Sequence, residues 1–246
     1  MPSPISTSKA PELPRLYRLH PDRLDFPPIE DALLEPPGLL AVGGDLRPER
    51  LLAAYYNGIF PWYNPGDPIL WWSPDPRCVI DPASFKPSRS LAKCLRQGRY
   101  RVTVDQCFST VMRCCAGPRA YADGTWINEQ LISNYTELHR RGIAHSIETW
   151  DERGELVGGL YGLNLGRLFF GESMFSHATD ASKVAFARLM ELARGWGFPL
   201  VDCQLENPHL MSLGAHLISR QDFIAVLRQN RALPAPDWSA FVQPSV

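Results

Sequence analysis

The sequence predicts an α+β fold: a small proline-rich N-terminal domain over residues 1–80, then a C-terminal domain over 81–246 with a mainly antiparallel mixed sheet flanked by helices. Three observations point there. Nine prolines fall within the first 37 residues, too many for a helix interior or a central strand. Three strand-like runs between residues 144 and 173 are joined by connections short enough for an antiparallel meander. Helical patterns precede and follow that meander.

In chain order, residues 48–58 (PERLLAAYYNG) read as a short helix, with Pro48 suited to its first turn and Gly58 to its end. The run 58–77, GIFPWYNPGDPILWWSPDPR, holds Trp62, Trp71 and Trp72 together with five prolines, so the rings are expected on a stiff, irregular loop. Rigid aromatics suit flat partners such as nucleobases, sugars or cations, each stacked base contributing about 1–3 kcal/mol. A packed hydrophobic corner is the competing reading.

Residues 88–97 form a second helical stretch with Arg89, Lys93 and Arg96 on one face. The window 84–101 carries six basic residues and no acidic one; a solvated helix face is the plain reading, and a phosphate-binding patch the functional one. Residues 128–141 are helical, with Leu131, Ile132, Tyr135 and Leu138 in a stripe and Gly142 as the stop. The strands 144–150, 155–163 and 167–173 follow. A long helix over 180–196 is expected to be capped by Thr179 or Asp180. Then come a strand over 199–205, a short helical piece ending at Gly214, and a helix capped by Ser219 with Asp222 three residues on. This order, α-β-β-β-α-β-α, suggests an acyltransferase-like layer.

Composition narrows the class. Apolar content of 45% and charged content of 21% are ordinary for a soluble enzyme. The start lacks the character of a secretory signal and no run of about 20 apolar residues occurs, so a cytoplasmic location without membrane contact is expected. Six cysteines form no C-x-x-C pair and no zinc pattern; they are expected reduced and mostly buried, with no metal or cofactor. The net charge of −1 confines any nucleic-acid binding to a local patch.

Polar residues gather at two strand ends, 171–176 (GESMFS) and 201–207 (VDCQLEN). Strand alternation places Asp202 and Gln204 on one face and Val201 and Cys203 on the other. A carboxylate beside an amide suits the orienting of an incoming amine; a buried polar group satisfied by backbone is the alternative for each alone. Ser173, Asp202 and His209 occur in the chain order of a serine hydrolase, but the second glycine of a nucleophile elbow is missing and the strands are hairpin-linked. An acetyl-CoA-dependent enzyme would need a glycine-rich phosphate loop where SHATDAS (176–182) stands. A non-enzymatic binding module would leave Glu172, Asp202 and Gln204 unexplained.

GLLAVGGDL (38–46), GIFPW (58–62), DPILWWSPDPR (67–77), GTWI (124–127), HSIE (145–148), LVGGLYG (156–162), FFGESMFS (169–176), ASK (181–183), VDCQ (201–204) and SLGA (212–215) together resemble the leucyl/phenylalanyl-tRNA–protein transferases over roughly residues 25–230. The resemblance implies a cytoplasmic, cofactor-free enzyme with an acetyltransferase-like (GNAT-type) C-terminal domain. It would move Leu or Phe from aminoacyl-tRNA to proteins beginning with Arg or Lys, marking them for N-end-rule degradation. Trp62 and Trp126 would hold the 3′-terminal adenosine, and Glu172, Asp202 and Gln204 would form the catalytic group. Leu160, Val201, Phe169 and Ser173 would contact the substrate, and Arg89, Lys93 and Arg96 the tRNA phosphates. Some members carry Met at position 160, which leaves Leu, Phe and Met open as the preferred side chain. Lys93, unlike an Arg at that position, forfeits bidentate phosphate geometry.

Overall fold

Two sheets organise the chain, described over residues 15–117 and 127–241 in a computed structural model. The smaller has the order β1-β2-β4-β3, with β1 at Tyr17–Leu19, β2 at Leu39–Gly43, β3 at Phe60–Pro61 and β4 at Leu70–Trp72. Trp71 and Trp72 therefore lie in a paired central strand, not in the irregular loop expected. The prolines of this run flank β4 at Pro68 and Pro74 and leave its own N–H groups free for the ladder. Trp71 is fully buried, its indole N–H bonded to the Gly43 carbonyl at 2.9 Å, whereas Trp62 is 43% exposed. Helix α1 (Pro48–Tyr55) joins β2 to β3 and has proline in its first turn, as expected. Gly58 ends it at φ +73°, and a Cβ there would lie 2.5 Å from Ile224 Cδ1, so only glycine fits.

The larger sheet has the order β11-β5-β10-β9-β8-β7-β6. Its strands are β5 (Arg77–Ile80), β6 (Arg101–Val104), β7 (Ala144–Trp150), β8 (Leu156–Leu165), β9 (Leu168–Ser176), β10 (Val201–Gln204) and β11 (His216–Ile218). β7, β8 and β9 form the expected meander, and β9–β10 pair in parallel within an otherwise antiparallel sheet. The division expected at residue 80 falls at the end of β5, which belongs to this larger sheet.

Six further helices flank it: α2 (Arg89–Gln97), α3 (Phe108–Ala116), α4 (Glu129–Arg140), α5 (Ala181–Gly195), α6 (Pro208–Ser212) and α7 (Arg220–Asn230). Ser88, Asn128 and Ser219 each accept an N–H from three residues on, the bond that satisfies an orphan donor at a helix start. α5 departs from expectation. Asp180 precedes it at φ +63° but bonds Lys183 at 2.8 Å, and Ser176 Oγ accepts the Ser182 N–H at 3.2 Å instead.

Both faces of the larger sheet are covered. One packs on α1, α3, α4, α7 and the smaller sheet through Tyr55, Val111, Leu131, Phe170 and Phe223; the other packs on α2 and α5 through Leu91, Phe186 and Leu189. Double-sided burial explains why β8 reads as an apolar run without alternation. All six cysteines are free and four are buried, as expected. Among the described residues no helix is long and apolar enough to cross a membrane.

Candidate active site

β9 and β10 pair at only two positions, Val201 with Phe169 and Asp202 with Phe170. Beyond them the strands separate, and a cavity of about 320 Å³ opens in the gap. Gly171 to Met174 of β9 line one side, Val201, Cys203 and Gln204 of β10 the other, and Phe60, Pro61 and Trp62 close it from the smaller sheet. Leu160, Phe186, Leu189 and Leu210 make its apolar end. At the mouth, Trp62 is braced by the edge of Trp72 at 5.8 Å, and the Trp72 indole N–H donates to the Trp62 carbonyl at 2.6 Å.

The floor is a carboxyl held by two phenols. Tyr55 on α1 donates to Glu172 Oε1 at 2.6 Å, Tyr135 on α4 donates to Oε2 at 3.2 Å, and the two hydroxyls stand 2.7 Å apart. Burial pushes the Glu172 carboxyl up to about 7; the Tyr55 and Tyr135 hydrogen bonds pull the other way, Asp202 adds to the rise and Arg77 opposes it. Burial, then the charge of Glu172, also raises both tyrosines well above their ordinary value, so they remain donors. Gln204 Nε2 lies 3.4 Å from Glu172 Oε1, which brings amide and carboxyl to one opening.

Asp202 and Gln204 do not share a face as strand alternation predicts. A bulge falls between them and Gln204 adopts φ +58°, so Gln204 joins Val201 and Cys203 on the cavity while Asp202 turns inward. Asp202 is fully buried. Its oxygens accept from Arg77 Nε at 2.8 Å and Arg77 Nη2 at 2.7 Å, and Oδ1 also takes the Gln204 N–H at 3.0 Å. So engaged, Asp202 cannot orient His209, and Ser173 stands within β9, paired with Tyr161, not on an elbow; the hydrolase arrangement is excluded. His209 reaches the cavity, its pKa lowered by burial and, less, by the Lys183 charge.

Of the residues singled out in the sequence, Trp62, Leu160, Glu172, Ser173, Val201 and Gln204 meet at this cavity. Phe169 does not: it is fully buried in the core behind the cavity wall, in one cluster with Leu160, Phe186, Leu189 and Val201, where its ring occupies the space left by Gly162 and lies 5.7 Å from Trp238. Trp126 lies outside the described residues. Arg89, Lys93 and Arg96 are exposed on α2, away from the cavity but packed through α2 on α5, whose Phe186 and Leu189 form the cavity wall. Among the described residues none of the three has a carboxylate partner. Sequence reasoning missed Tyr55, Tyr135 and Arg77, and only Tyr135 carried any signal, as a polar atom on an otherwise apolar stripe.

The family model described as leucyl/phenylalanyl-tRNA protein transferase matches residues 79–228, and the model of that family's N-terminal domain matches residues 44–75. A leucyl/phenylalanyl-tRNA–protein transferase of Stutzerimonas stutzeri (strain A1501) is 59% identical over 220 residues, 89% of this chain and 97% of that one. Its counterpart in Cellvibrio japonicus (strain Ueda107) is 61% identical over 209 residues, 85% of this chain and 88% of that one. A solved structure, L-PGS from Bacillus licheniformis, overlaps 69% of this chain and 54% of its own with a TM-score of 0.38 and 12% identity, too distant to bear on the site.

Proposed function

The chain belongs to the leucyl/phenylalanyl-tRNA protein transferase family, and from that premise we propose that the cavity between β9 and β10 moves a leucyl or phenylalanyl group from the 3′ ester of its tRNA to the α-amine of a protein beginning with Arg or Lys. The observation that carries this is the meeting, in one cavity, of an exposed indole, a polar pair and an apolar end. Trp62, with Trp126, stacks the terminal adenosine. The apolar end, with Leu160 and Val201, takes the amino-acid side chain, where a methylene of mismatch shifts selection by about 1–3 kcal/mol.

The ester is already activated, and positioning supplies much of the acceleration. The amine nitrogen bonds to the ester carbonyl carbon, the carbonyl–O3′ bond breaks, and the departing ribose oxygen gains a proton as the amine loses one. Glu172, with a carboxyl near 7, is matched to receive the amine and its proton at neutral pH. Gln204 orients the amine or the carbonyl by hydrogen bonds, and Asp202 acts through Gln204. The exposed cations Arg89, Lys93 and Arg96 hold tRNA phosphates, so affinity falls with salt. The setting is cytoplasmic, and the product is tagged for N-end-rule degradation.

The test incubates the protein with labelled Leu-tRNA and a peptide beginning with Arg. Label at the peptide's N-terminus, absent when that amine is acetylated, is expected. Tight tRNA binding without transfer would leave a binding module in place of an enzyme.

A further inference from the structure

Arg77 is 1% exposed and every edge of its guanidinium is used. Nε and Nη2 clasp Asp202, Nη1 donates to the Gly58 carbonyl at 3.0 Å, and the Phe60 and Phe223 rings lie 4.9 and 4.6 Å from its carbon. Two of these contacts, to Asp202 and to the Gly58 carbonyl, lead to different walls of the cavity. Asp202 holds the backbone N–H of Gln204 and with it the left-handed bulge that turns the Gln204 amide toward Glu172. Gly58 begins the segment that passes through Phe60 and Pro61 to Trp62.

We propose that Arg77 is a positioning residue for the transfer reaction, a buried fork that sets the Gln204 wall of the cavity against the Trp62 wall. This rests on the transfer reading given above. Stability alone does not account for the pair, because a buried ion pair is commonly matched or exceeded in stability by apolar residues of similar volume. Lysine cannot take its place: one ammonium does not span both Asp202 oxygens and the Gly58 carbonyl in a plane. Trp62 has a second anchor in the pairing of β3 with β4 and in the Trp72 indole bond, so loosening the fork disturbs Gln204 more than the adenosine platform.

The experiment compares steady-state transfer by wild type and Arg77→Lys, with melting temperature and circular dichroism alongside. The variant is expected to fold and to lose about 100-fold in kcat, the effect of roughly 1 Å of misplacement. Its KM for Leu-tRNA should stay within about threefold, since an interaction made only in the transition state lowers kcat and kcat/KM together. In Arg77→Ala, added guanidinium should restore part of kcat where methylammonium does not. A folded Arg77→Lys with wild-type kcat overturns the proposal. So does an Arg77→Lys that fails to fold, which would assign the pair to stability, and so does a folded Arg77→Ala that guanidinium leaves unchanged. Wild-type protein that moves no label overturns the transfer reading itself; active wild type with an indifferent Arg77→Lys overturns only the positioning role.

Discussion

Glu172 is the residue whose environment departs furthest from what its neighbours in sequence suggest. With a folded-state pKa near 7 against 4.5 ordinarily, the native state holds a proton between those pH values that the unfolded chain has released. Stability therefore falls as pH rises from about 4.5 to 7 and levels off above, by an amount of order 3 kcal/mol. Glu172→Gln removes that loss. Thermal melts should show the variant more stable than wild type at pH 8, with the difference closing toward pH 4.5; equal melting at pH 8 would mean the carboxyl is not raised. The same substitution should lower kcat about 100-fold, as loss of a positioned base does. None of this was legible in the string GESMFS. The fold that buries the carboxyl also brings to it Tyr55 and Tyr135, whose hydrogen bonds oppose the rise and which lie 117 and 37 residues away in the chain. Leu160 and Val201 were expected at the substrate only through the family resemblance, and both line the cavity.

At the level of elements, capped helices and hairpin-linked strands could be read because their signals are local. Ser88, Asn128 and Ser219 sit where their N–H partners begin, and glycine at 98 takes a left-handed conformation to end α2. The short strands of the smaller sheet, the strands β5, β6 and β11, and helix α3 went unread. β5 is buried at all four positions and so shows no alternation. α3 did carry an apolar spacing at Phe108, Val111, Met112 and Cys115, and this was the available signal. The inward turn of Asp202 depended on a bulge that strand periodicity cannot foresee. α2 is the element with a separable test. Replacing Arg89 and Lys93 by alanine should reduce the slope of log affinity for tRNA against log salt by about 1.4–1.8, near 0.7–0.9 per phosphate contact. An unchanged slope would return α2 to a solvated face, and because these side chains are exposed, folding should not change.

For the whole molecule, the expected two-part division meets a continuous core. Leu40 and Ala41 of β2, Tyr55 of α1, Leu131 of α4, Phe170 of β9 and Phe223 of α7 belong to one apolar cluster. Calorimetry should accordingly give one transition, with calorimetric and van't Hoff enthalpies equal; two resolved peaks would show that the sheets melt separately. The Tyr55–Tyr135–Glu172 floor lies at this cluster's edge and draws on residues up to 117 positions apart in the chain. A copy still emerging from the ribosome is surrounded by charged tRNAs, yet until β10 has left the exit tunnel its cavity has no Gln204 wall. Translation can therefore finish the protein before the protein begins to compete with translation for its aminoacyl donors.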